Sequence, residues 1–273
     1  MTAKTVLITG ASSGIGHATA EHFHQYGWNV VATMRTPDDS DLRQLDNTLV
    51  ARLDVTDLES IDTGVQAALD RFGGIDVLVN NAGYDTFGPL EAIPRAAMVR
   101  QIDTNLLGVL DVTRAVLPTM RQQGEGVIVN LSSVAGQMTF PFNSLYHATK
   151  FGLEGASEAL GFELGGIGIR VKIIQPGSID TEFWRSSLDF HDDPDLAEYR
   201  TMMDAINHAI AQRQENPTAA SPPSAVAEVI HRAATDGTDK LRYLAGNAAD
   251  FFNSRDGKTD EEYIAATRQQ FGI

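Results

Sequence analysis

The chain of 273 residues contains no cysteine. Disulfide bonds, thiolate catalysis and cysteine-bound zinc are therefore excluded, and a cytoplasmic location is compatible with this composition. Among the seven histidines, His22 and His24 come nearest to the spacing of metal ligands. Their places on one predicted helix explain that spacing without a ligand, so the sequence predicts no metal site.

Long apolar runs and positive charge are also scarce. No segment approaches the ~20 apolar residues of a membrane-spanning helix, and the first residues lack the pattern of a signal peptide. The chain has 21 Lys and Arg against 36 Asp and Glu, a formal net charge of -15. This charge disfavours binding to nucleic-acid phosphates or to an anionic membrane surface, and solubility is sufficient to explain it. The expected partner is a small molecule rather than a nucleic acid or a membrane.

Short β-branched runs alternate with longer helix-patterned segments along the chain. Their near-continuous hydrophobicity suits parallel strands that are buried on both faces. The alternation predicts an α/β class, doubly wound Rossmann fold, with about seven parallel strands, helices on both faces and a single domain over 1–273. The predicted strands are Val6–Thr9, Val30–Thr33, Leu49–Val55, Val77–Val79, Val127–Leu131, Val171–Ile174 and Tyr243–Ala245. The predicted helices are Gly14–Tyr26, Leu58–Phe72, Met98–Arg121, Leu145–Leu164 and Ala225–Ala234.

One stretch departs from this alternation. Asp189–Pro223 is rich in Asp, Pro and polar residues, with a helical pattern around Leu196–Ile210. A long insertion between two strands is typically a functional loop rather than a second domain. The sequence therefore predicts a variable substrate lid at about residues 182–223, here called the lid segment.

The first predicted strand runs directly into a glycine-rich turn. Glycines permit a tight strand-to-helix turn and close approach of a pyrophosphate, and the helix N-terminus adds free N–H groups and partial positive charge. A turn without a ligand is the alternative, but a position in the first βα unit favours phosphate binding. The residues predicted to contact the cofactor here are Gly10, Ser12, Ser13, Gly14, Ile15 and Gly16.

The residues after the second predicted strand bear on the choice between NAD and NADP. NAD enzymes usually place Asp or Glu at the end of this strand, where it bonds the ribose 2′-hydroxyl. Here Met34 and Arg35 follow the strand, and a guanidinium suits a 2′-phosphate. A solvated surface arginine is the alternative. The sequence favours NADP(H), with NAD(H) as the second candidate.

Tyr146 and Lys150 stand one helical turn apart on one face of a predicted helix. A nearby positive charge favours the phenolate and thereby lowers the pKa of a tyrosine, which makes it a usable proton donor or acceptor. This spacing also occurs in ordinary amphipathic helices. Ser133 strengthens the catalytic interpretation, because it follows a predicted strand at the sheet edge where ligands bind and could polarise a substrate carbonyl. His147 faces away from Tyr146 and is interpreted as structural.

These motifs, in this order and spacing, resemble the classical short-chain dehydrogenase/reductase family over almost the whole chain. Each motif is weak alone, but six occur in register. They are the turn Thr9–Gly16, Asp54-Val55, Asn80-Asn81-Ala82-Gly83, Asn105, Ser133 thirteen positions before Tyr146, and Pro176–Thr181.

The resemblance implies a proton relay for an oxidoreductase acting on CH–OH groups. Tyr146 would be the general acid/base, and Lys150 would lower its pKa and hold the nicotinamide ribose. Ser133 would orient the substrate oxygen, and Asn105 would position a water linking Lys150 to solvent. Further cofactor contacts are implied for Asp54, Val55, Asn81, Ala82, Gly83, Pro176, Gly177, Ile179 and Thr181. A homodimer or homotetramer is expected by analogy.

The substrate side is less specific. Phe142, Phe183 and Trp184 are predicted to line an apolar substrate pocket, with simple core packing as the alternative. The stretches Gly88–Ala92 and Pro141–Glu154 resemble the steroid- and retinol-dehydrogenase-like branch, which implies a lipophilic secondary alcohol or ketone. Two other functions stay open: a non-catalytic protein that senses NADP or binds a partner, and an epimerase or dehydratase on the same scaffold. The intact serine, tyrosine and lysine disfavour the first.

Overall fold

A computed structural model of the chain describes residues 3–181, 187–215 and 220–271. Numbered along the chain, the described strands are β1 (Thr5–Thr9), β2 (Asn29–Met34), β3 (Thr48–Arg52), β4 (Val77–Asn80), β5 (Asp85–Phe87), β6 (Gly126–Leu131), β7 (Ile169–Pro176), β8 (Leu188–Phe190) and β9 (Arg242–Ala245). Seven of them form the main parallel sheet in the order β3-β2-β1-β4-β6-β7-β9. The order reverses between β1 and β4, which places a binding crevice beyond the carboxyl ends of these two strands.

Helices cover both faces of the main sheet, so the predicted doubly wound fold is confirmed. Along β1, Val6 and Ile8 pack into one apolar cluster and Leu7 into the other, because successive strand residues point to opposite faces. The described helices are α1 (Gly14–Gln25), α2 (Leu58–Phe72), α3 (Arg95–Ile102), α4 (Gly108–Gln123), α5 (Ser144–Gly165), α6 (Arg200–Glu215), α7 (Pro223–Thr235), α8 (Ala248–Arg255) and α9 (Asp260–Phe271). None of these described helices is long and apolar enough to cross a bilayer.

Local sequence explains where a helix such as α2 begins and ends. The Asp57 carboxylate accepts hydrogen bonds from the backbone N–H groups of Glu59 and Ser60, at 3.1 and 3.2 Å. Such an N-cap stabilises a helix by about 1 kcal/mol. Gly73 ends α2 with φ of 81°, a left-handed conformation that glycine adopts without steric cost.

Two predicted elements differ from the structure. The predicted strand Leu49–Val55 ends at Arg52, and its last residues turn into the loop that borders the crevice. The predicted helix Met98–Arg121 is interrupted by a π-helical segment, Asp103–Leu107. This extra turn buries Asn105 and brings Gly108 so close to β3's loop that a Cβ there would lie 2.7 Å from the Val55 carbonyl oxygen.

Other elements were not predicted at all. The short strands β5 and β8 pair in a separate parallel sheet, which joins the loop after β4 to the lid segment. In contrast, the helical pattern predicted around Leu196–Ile210 in that segment is present, as a short turn at Ala197–Tyr199 followed by α6. At the end of the chain, α8 and α9 place side chains along the crevice.

Candidate active site

The glycine-rich turn after β1 is held by the loop after β4. The Asn81 side-chain amide donates to the carbonyl oxygens of Thr9 and Gly10, at 2.9 and 3.0 Å. The Thr9 hydroxyl accepts in return from the backbone N–H groups of Asn81 and Ala82. A Cβ at Gly16 would lie 2.3 Å from the Gly10 carbonyl oxygen, so only glycine allows α1 to begin this close to the turn.

The predicted cofactor residues share one large cleft of about 1300 Å³. All of the predicted cofactor contacts except Gly16 are among the described residues that line this cleft. Gly16 instead contributes to the packing of the turn. These lining residues are Gly10, Ser12, Ser13, Gly14, Ile15, Arg35, Asp54, Val55, Asn81, Ala82, Gly83, Tyr146, Lys150, Pro176, Gly177, Ile179 and Thr181.

Arg35 and Asp54 mark one end of the cleft. Arg35 is exposed just after β2, where its guanidinium is accessible to a ligand. Burial alone would raise the pKa of Asp54, but hydrogen bonds from Thr56 and the positive charges of Arg35 and Arg52 lower the pKa overall. Both Thr56 hydrogen bonds reach one carboxylate oxygen, at 2.8 and 3.0 Å. The end of the cleft therefore holds an accessible positive charge beside a fixed, ionised carboxylate.

The loop after β7 closes over the glycine-rich turn. A Cβ at Gly14 would lie 3.3 Å from the Thr181 side chain, which places Thr181 directly above the start of α1. Asn247 holds the beginning of this loop by accepting from the Ser178 backbone N–H at 2.7 Å. Ile179 forms a backbone bridge to Ser221. The predicted cofactor residues of these three regions therefore lie together on the loops after β1, β4 and β7.

Ser133, Tyr146 and Lys150 meet at the floor of the cleft. Ser133 follows β6, and its hydroxyl hydrogen-bonds the phenol of Tyr146. Ser133 is also fixed by the Ala135 N–H, which donates to its Oγ at 3.1 Å. The buried Lys150 ammonium donates to the Leu131 carbonyl oxygen at 2.7 Å and lies 5.6 Å from the centre of the Tyr146 ring. A hydroxyl, a phenol and an ammonium therefore share one small volume.

Burial governs the ionisation of this group. Burial raises the pKa of Tyr146 above its usual range, the Asp85 carboxylate raises it further, and only the Ser133 hydrogen bond opposes them. Burial likewise lowers the pKa of Lys150 to about 8, although Asp85 and Glu154 act in the opposite direction. The pKa of Tyr146 is therefore raised overall, and the expectation that Lys150 lowers it stays a prediction.

Asn105 fixes the loop that borders these residues. Its side-chain oxygen accepts from the Tyr84 backbone N–H at 3.1 Å, and its side-chain nitrogen donates to the Tyr84 carbonyl oxygen at 2.7 Å. The π-helical segment brings this buried amide into the cleft wall. Both ends of the amide are used by the backbone, so its direct contacts are with the loop.

The comparisons with known proteins agree with this geometry. Residues 4–191 match the family model described as short chain dehydrogenase. The chain belongs to the short-chain dehydrogenase family. An uncharacterized oxidoreductase of Schizosaccharomyces pombe is 39% identical over 242 residues, which cover 88% of this chain and 100% of that protein.

Solved structures of short-chain dehydrogenases superpose on most of the chain. A short-chain dehydrogenase from Streptomyces avermitilis has a TM-score of 0.80 at 33% identity and covers 100% of this chain and 97% of its own. A variant of actinorhodin polyketide ketoreductase with NADPH has a TM-score of 0.76 at 28% identity, covering 92% and 100%. Members of the family are oxidoreductases whose fold binds a nicotinamide cofactor.

In this short-chain dehydrogenase, His147 is a structural residue. Its Nε2 accepts from the Phe140 backbone N–H at 2.8 Å, and its Nδ1 lies 2.9 Å from the Ala135 carbonyl oxygen. Burial lowers the pKa of His147, which favours the neutral ring that these two contacts require. The interpretation of His147 as structural is confirmed, and the contacts fix the chain between Ser133 and Tyr146.

The predicted substrate contacts lie in different places. Phe142 has a φ of 61° and packs edge-on against Phe87 and Tyr199, in an apolar cluster under the lid segment rather than on the cleft lining. Phe183 and Trp184 lie outside the described residues. Other apolar residues do line the cleft: Met138, Phe140, Leu188, Ile206 and Phe251.

Sequence reasoning missed one carboxylate of the dehydrogenase site, Asp85. Asp85 lines the cleft with only 1% of its surface exposed, and burial raises its pKa to about 7 although Asn143 and Lys150 oppose this. The loop sequence Gly83-Tyr84-Asp85-Thr86 is typical of an exposed turn. It is buried because β5 pairs with β8, about 100 residues later, and no local signal predicts that pairing.

Proposed function

We propose that this short-chain dehydrogenase interconverts a ketone or aldehyde and the corresponding alcohol, with NADP(H) as cofactor. The observation that carries the proposal is the contact of Ser133, Tyr146 and Lys150 on the floor of the cleft that also contains the glycine-rich turn. A proton donor and a hydrogen-bond donor lie where a carbonyl oxygen can reach both. This arrangement suits addition of hydride to a carbonyl carbon or its removal from an alcohol.

The residues present fit a dinucleotide phosphate. Glycine at 10 and 16 lets the turn lie open to a pyrophosphate, and the Ser13 side chain makes no capping hydrogen bond to α1. Arg35 supports the phosphorylated form, because it stands where an NAD enzyme has an acid. Its guanidinium would donate charge-assisted hydrogen bonds to a 2′-phosphate. NAD(H) is the alternative that the cofactor test below distinguishes.

The protein's own part in the reaction is proton transfer and orientation. The bound nicotinamide would supply or accept the hydride. Ser133 would hold the substrate oxygen beside the phenol, and Tyr146 would give that oxygen a proton in reduction or take one in oxidation. The raised pKa of Tyr146 favours the protonated phenol, which is the form that a reductase requires. Lys150 would hold the nicotinamide ribose beside the tyrosine.

The cleft lining supports a lipophilic substrate, a secondary alcohol or ketone. Leu188 and Ile206 reach the cleft from the lid segment, and Met138, Phe140 and Phe251 line it as well. Apolar walls with a few polar groups are the usual construction of a small-molecule site. The lid segment would therefore select the substrate, while the loops after β1, β4 and β7 hold the cofactor.

The test is a carbonyl and alcohol panel followed by NADPH absorbance, with Tyr146→Phe as the decisive variant. Loss of the phenol proton should reduce kcat by at least about a hundredfold, since general acid/base catalysis contributes that much. NADPH affinity should change little. Tyr243→Phe, a matched removal of a hydroxyl bonded to Asp236 far from the cleft, should retain turnover. NADPH binding without turnover of any carbonyl or alcohol would instead favour the non-catalytic function.

We also propose that the protein is a homodimer or homotetramer. Leu107 lies on the same helical segment as Asn105, and Phe151 lies on the same helix as Tyr146. Their apolar side chains are 46% and 45% exposed. Burying such surface between copies is favourable by about 25 cal/mol per Å². Sedimentation of the parent and a Phe151→Lys variant would test this, and a monomeric parent would contradict it.

A further inference from the structure

Four residues that line the cleft carry a buried side-chain oxygen with no hydrogen-bond partner within the described part of the chain: Tyr84, Asp85, Ser132 and Asn143. Two of these oxygens, Oδ1 of Asp85 and Oδ1 of Asn143, belong to side chains that are hydrogen-bonded to each other. Asp85 is 1% exposed and Asn143 is 6% exposed, and both residues line the cleft that contains Tyr146. Leaving a buried acceptor unpaired is unfavourable, so buried acceptors are normally satisfied by protein, water or a ligand.

The remaining atoms of the two side chains fix these oxygens in place. The Asn143 side-chain nitrogen donates to the other Asp85 oxygen at 3.0 Å. The Asp85 backbone N–H donates to the Ser187 carbonyl oxygen at 3.0 Å, and β5 pairs with β8 along its whole length. The carboxylate is therefore held by the lid segment on one side and by the start of α5 on the other.

These oxygens are also close to the reacting groups. Asn143 is the N-cap of α5 and stands three residues before Tyr146, so the two lie one helical turn apart on the same face. The Asp85 charge acts on both Tyr146 and Lys150. Lys150 itself donates to the Leu131 carbonyl oxygen. The Asp85 carboxylate is therefore an electrostatic neighbour of the proton relay.

We propose that Asp85 and Asn143 form a second recognition point for the substrate, one that binds a hydroxyl or amine attached close to the reacting carbonyl. This inference rests on the proposed reductase function and names the substrate class within it. Two acceptor oxygens suit a hydrogen-bond donor, and a carboxylate suits an ammonium in particular. The preferred substrates are hydroxy- or amino-ketones with an apolar remainder, because the rest of the wall is apolar.

The test compares three ketones of equal chain length with NADPH: methyl hexyl ketone and its α-hydroxy and α-amino counterparts. The parent should reduce at least one donor-bearing ketone with a kcat/KM about a hundredfold above that of the plain ketone. A site built to bond a substrate donor discriminates strongly against the analogue that lacks it. A higher kcat/KM for the α-amino ketone than for the α-hydroxy ketone would show that the site recognises the positive charge of the ammonium.

Variants then assign this preference to the two residues. In Asp85→Asn the preference for the amine should fall about tenfold or more, since a hydrogen bond to a charged group is lost. Asn143→Leu should reduce the preference as well. Asp236→Asn is the matched control, because this carboxylate is bonded to Tyr243 and is not among the described residues that line the cleft, so its variant should keep the parent's preference.

The outcomes separate the two proposals. A parent that reduces none of the three ketones or of the wider panel overturns both the reductase function and this inference. A parent that reduces all three at similar kcat/KM, or an Asp85→Asn variant that loses activity equally on all three, overturns the inference alone. If Asp85→Asn does not fold, Asn143→Leu and the parent's own preference still decide the question.

Discussion

The buried Asp85 carboxyl should make the stability of this protein depend on pH within a defined window. Burial raises its pKa from 3.8 to about 7. A folded-state pKa above the unfolded value means that the folded chain binds the proton more tightly. The stabilisation is complete below the unfolded pKa and is lost as pH rises through the folded pKa. The change to make is Asp85→Asn, which keeps the size and removes the titration.

The magnitude follows from these two pKa values. Between about pH 5.5 and about pH 7.5 the folded carboxyl passes most of the way through its titration, whereas the unfolded carboxyl is ionised throughout, so the parent loses about 2 kcal/mol. The variant lacks this loss. Without the Asp85 charge, the pKa of Lys150 falls further below about 8, and this adds to the difference in the same direction. The free energy of unfolding of the variant minus that of the parent should therefore increase by about 2 kcal/mol across the window.

The assay is urea unfolding at several pH values in this window, which lies above the sequence pI of 4.7. Far-ultraviolet circular dichroism and tryptophan fluorescence should give coincident transitions. Asp236→Asn is the control. Hydrogen bonds and the Lys172 charge lower the pKa of Asp236 despite its desolvation, so it is ionised in both states here and its effect should not vary with pH. A difference between Asp85→Asn and parent that stays constant with pH would refute the reasoning.

Three further predictions concern the cleft. Arg35→Asp should shift the ratio of kcat/KM for NADPH over NADH toward NADH by about ten- to a hundredfold, since a charge-assisted hydrogen bond is lost, and an unchanged ratio would mean that Arg35 does not contact the phosphate. Gly16→Ala should weaken NADPH binding, measured by titration calorimetry, about tenfold or more, because the added Cβ would meet the Gly10 carbonyl oxygen. Gly27→Ala is the control: its Cβ would point into open space, so this variant should lose stability but keep its NADPH affinity. Ile206→Ala should change the ratio of kcat/KM between long and short ketones more than NADPH affinity, and equal effects on both would contradict the lid function.

The parts of the structure that could be predicted depend on neighbours in sequence. Apolar runs such as Val30–Thr33 identify strands buried on both faces, and the glycine-rich turn follows directly from its own residues. Tyr146 and Lys150 are one helical turn apart, so their proximity needs only a helix. Ser133 could be added because the carboxyl ends of parallel strands meet at one edge of the sheet.

The parts that could not be predicted depend on distant contacts. Asp85 is buried by pairing with a strand about 100 residues later, and α8 reaches the cleft only because β9 lies at the sheet's edge. The positive φ of Phe142 is likewise fixed by packing against Phe87 and Tyr199 rather than by its own preference. The raised pKa of Tyr146 has the same origin, because the lysine is visible in the sequence and the burial is not.

The pairing of β5 with β8 has a consequence for any redesign of this chain. The two strands bring a segment that lines the cleft and a part of the lid segment into one register, Asp85 opposite Leu188 and Phe87 opposite Phe190. A replacement of residues 187–190 that did not fit this register would displace the Asp85 backbone. Residues 85–87 and 187–190 should therefore be redesigned as one unit.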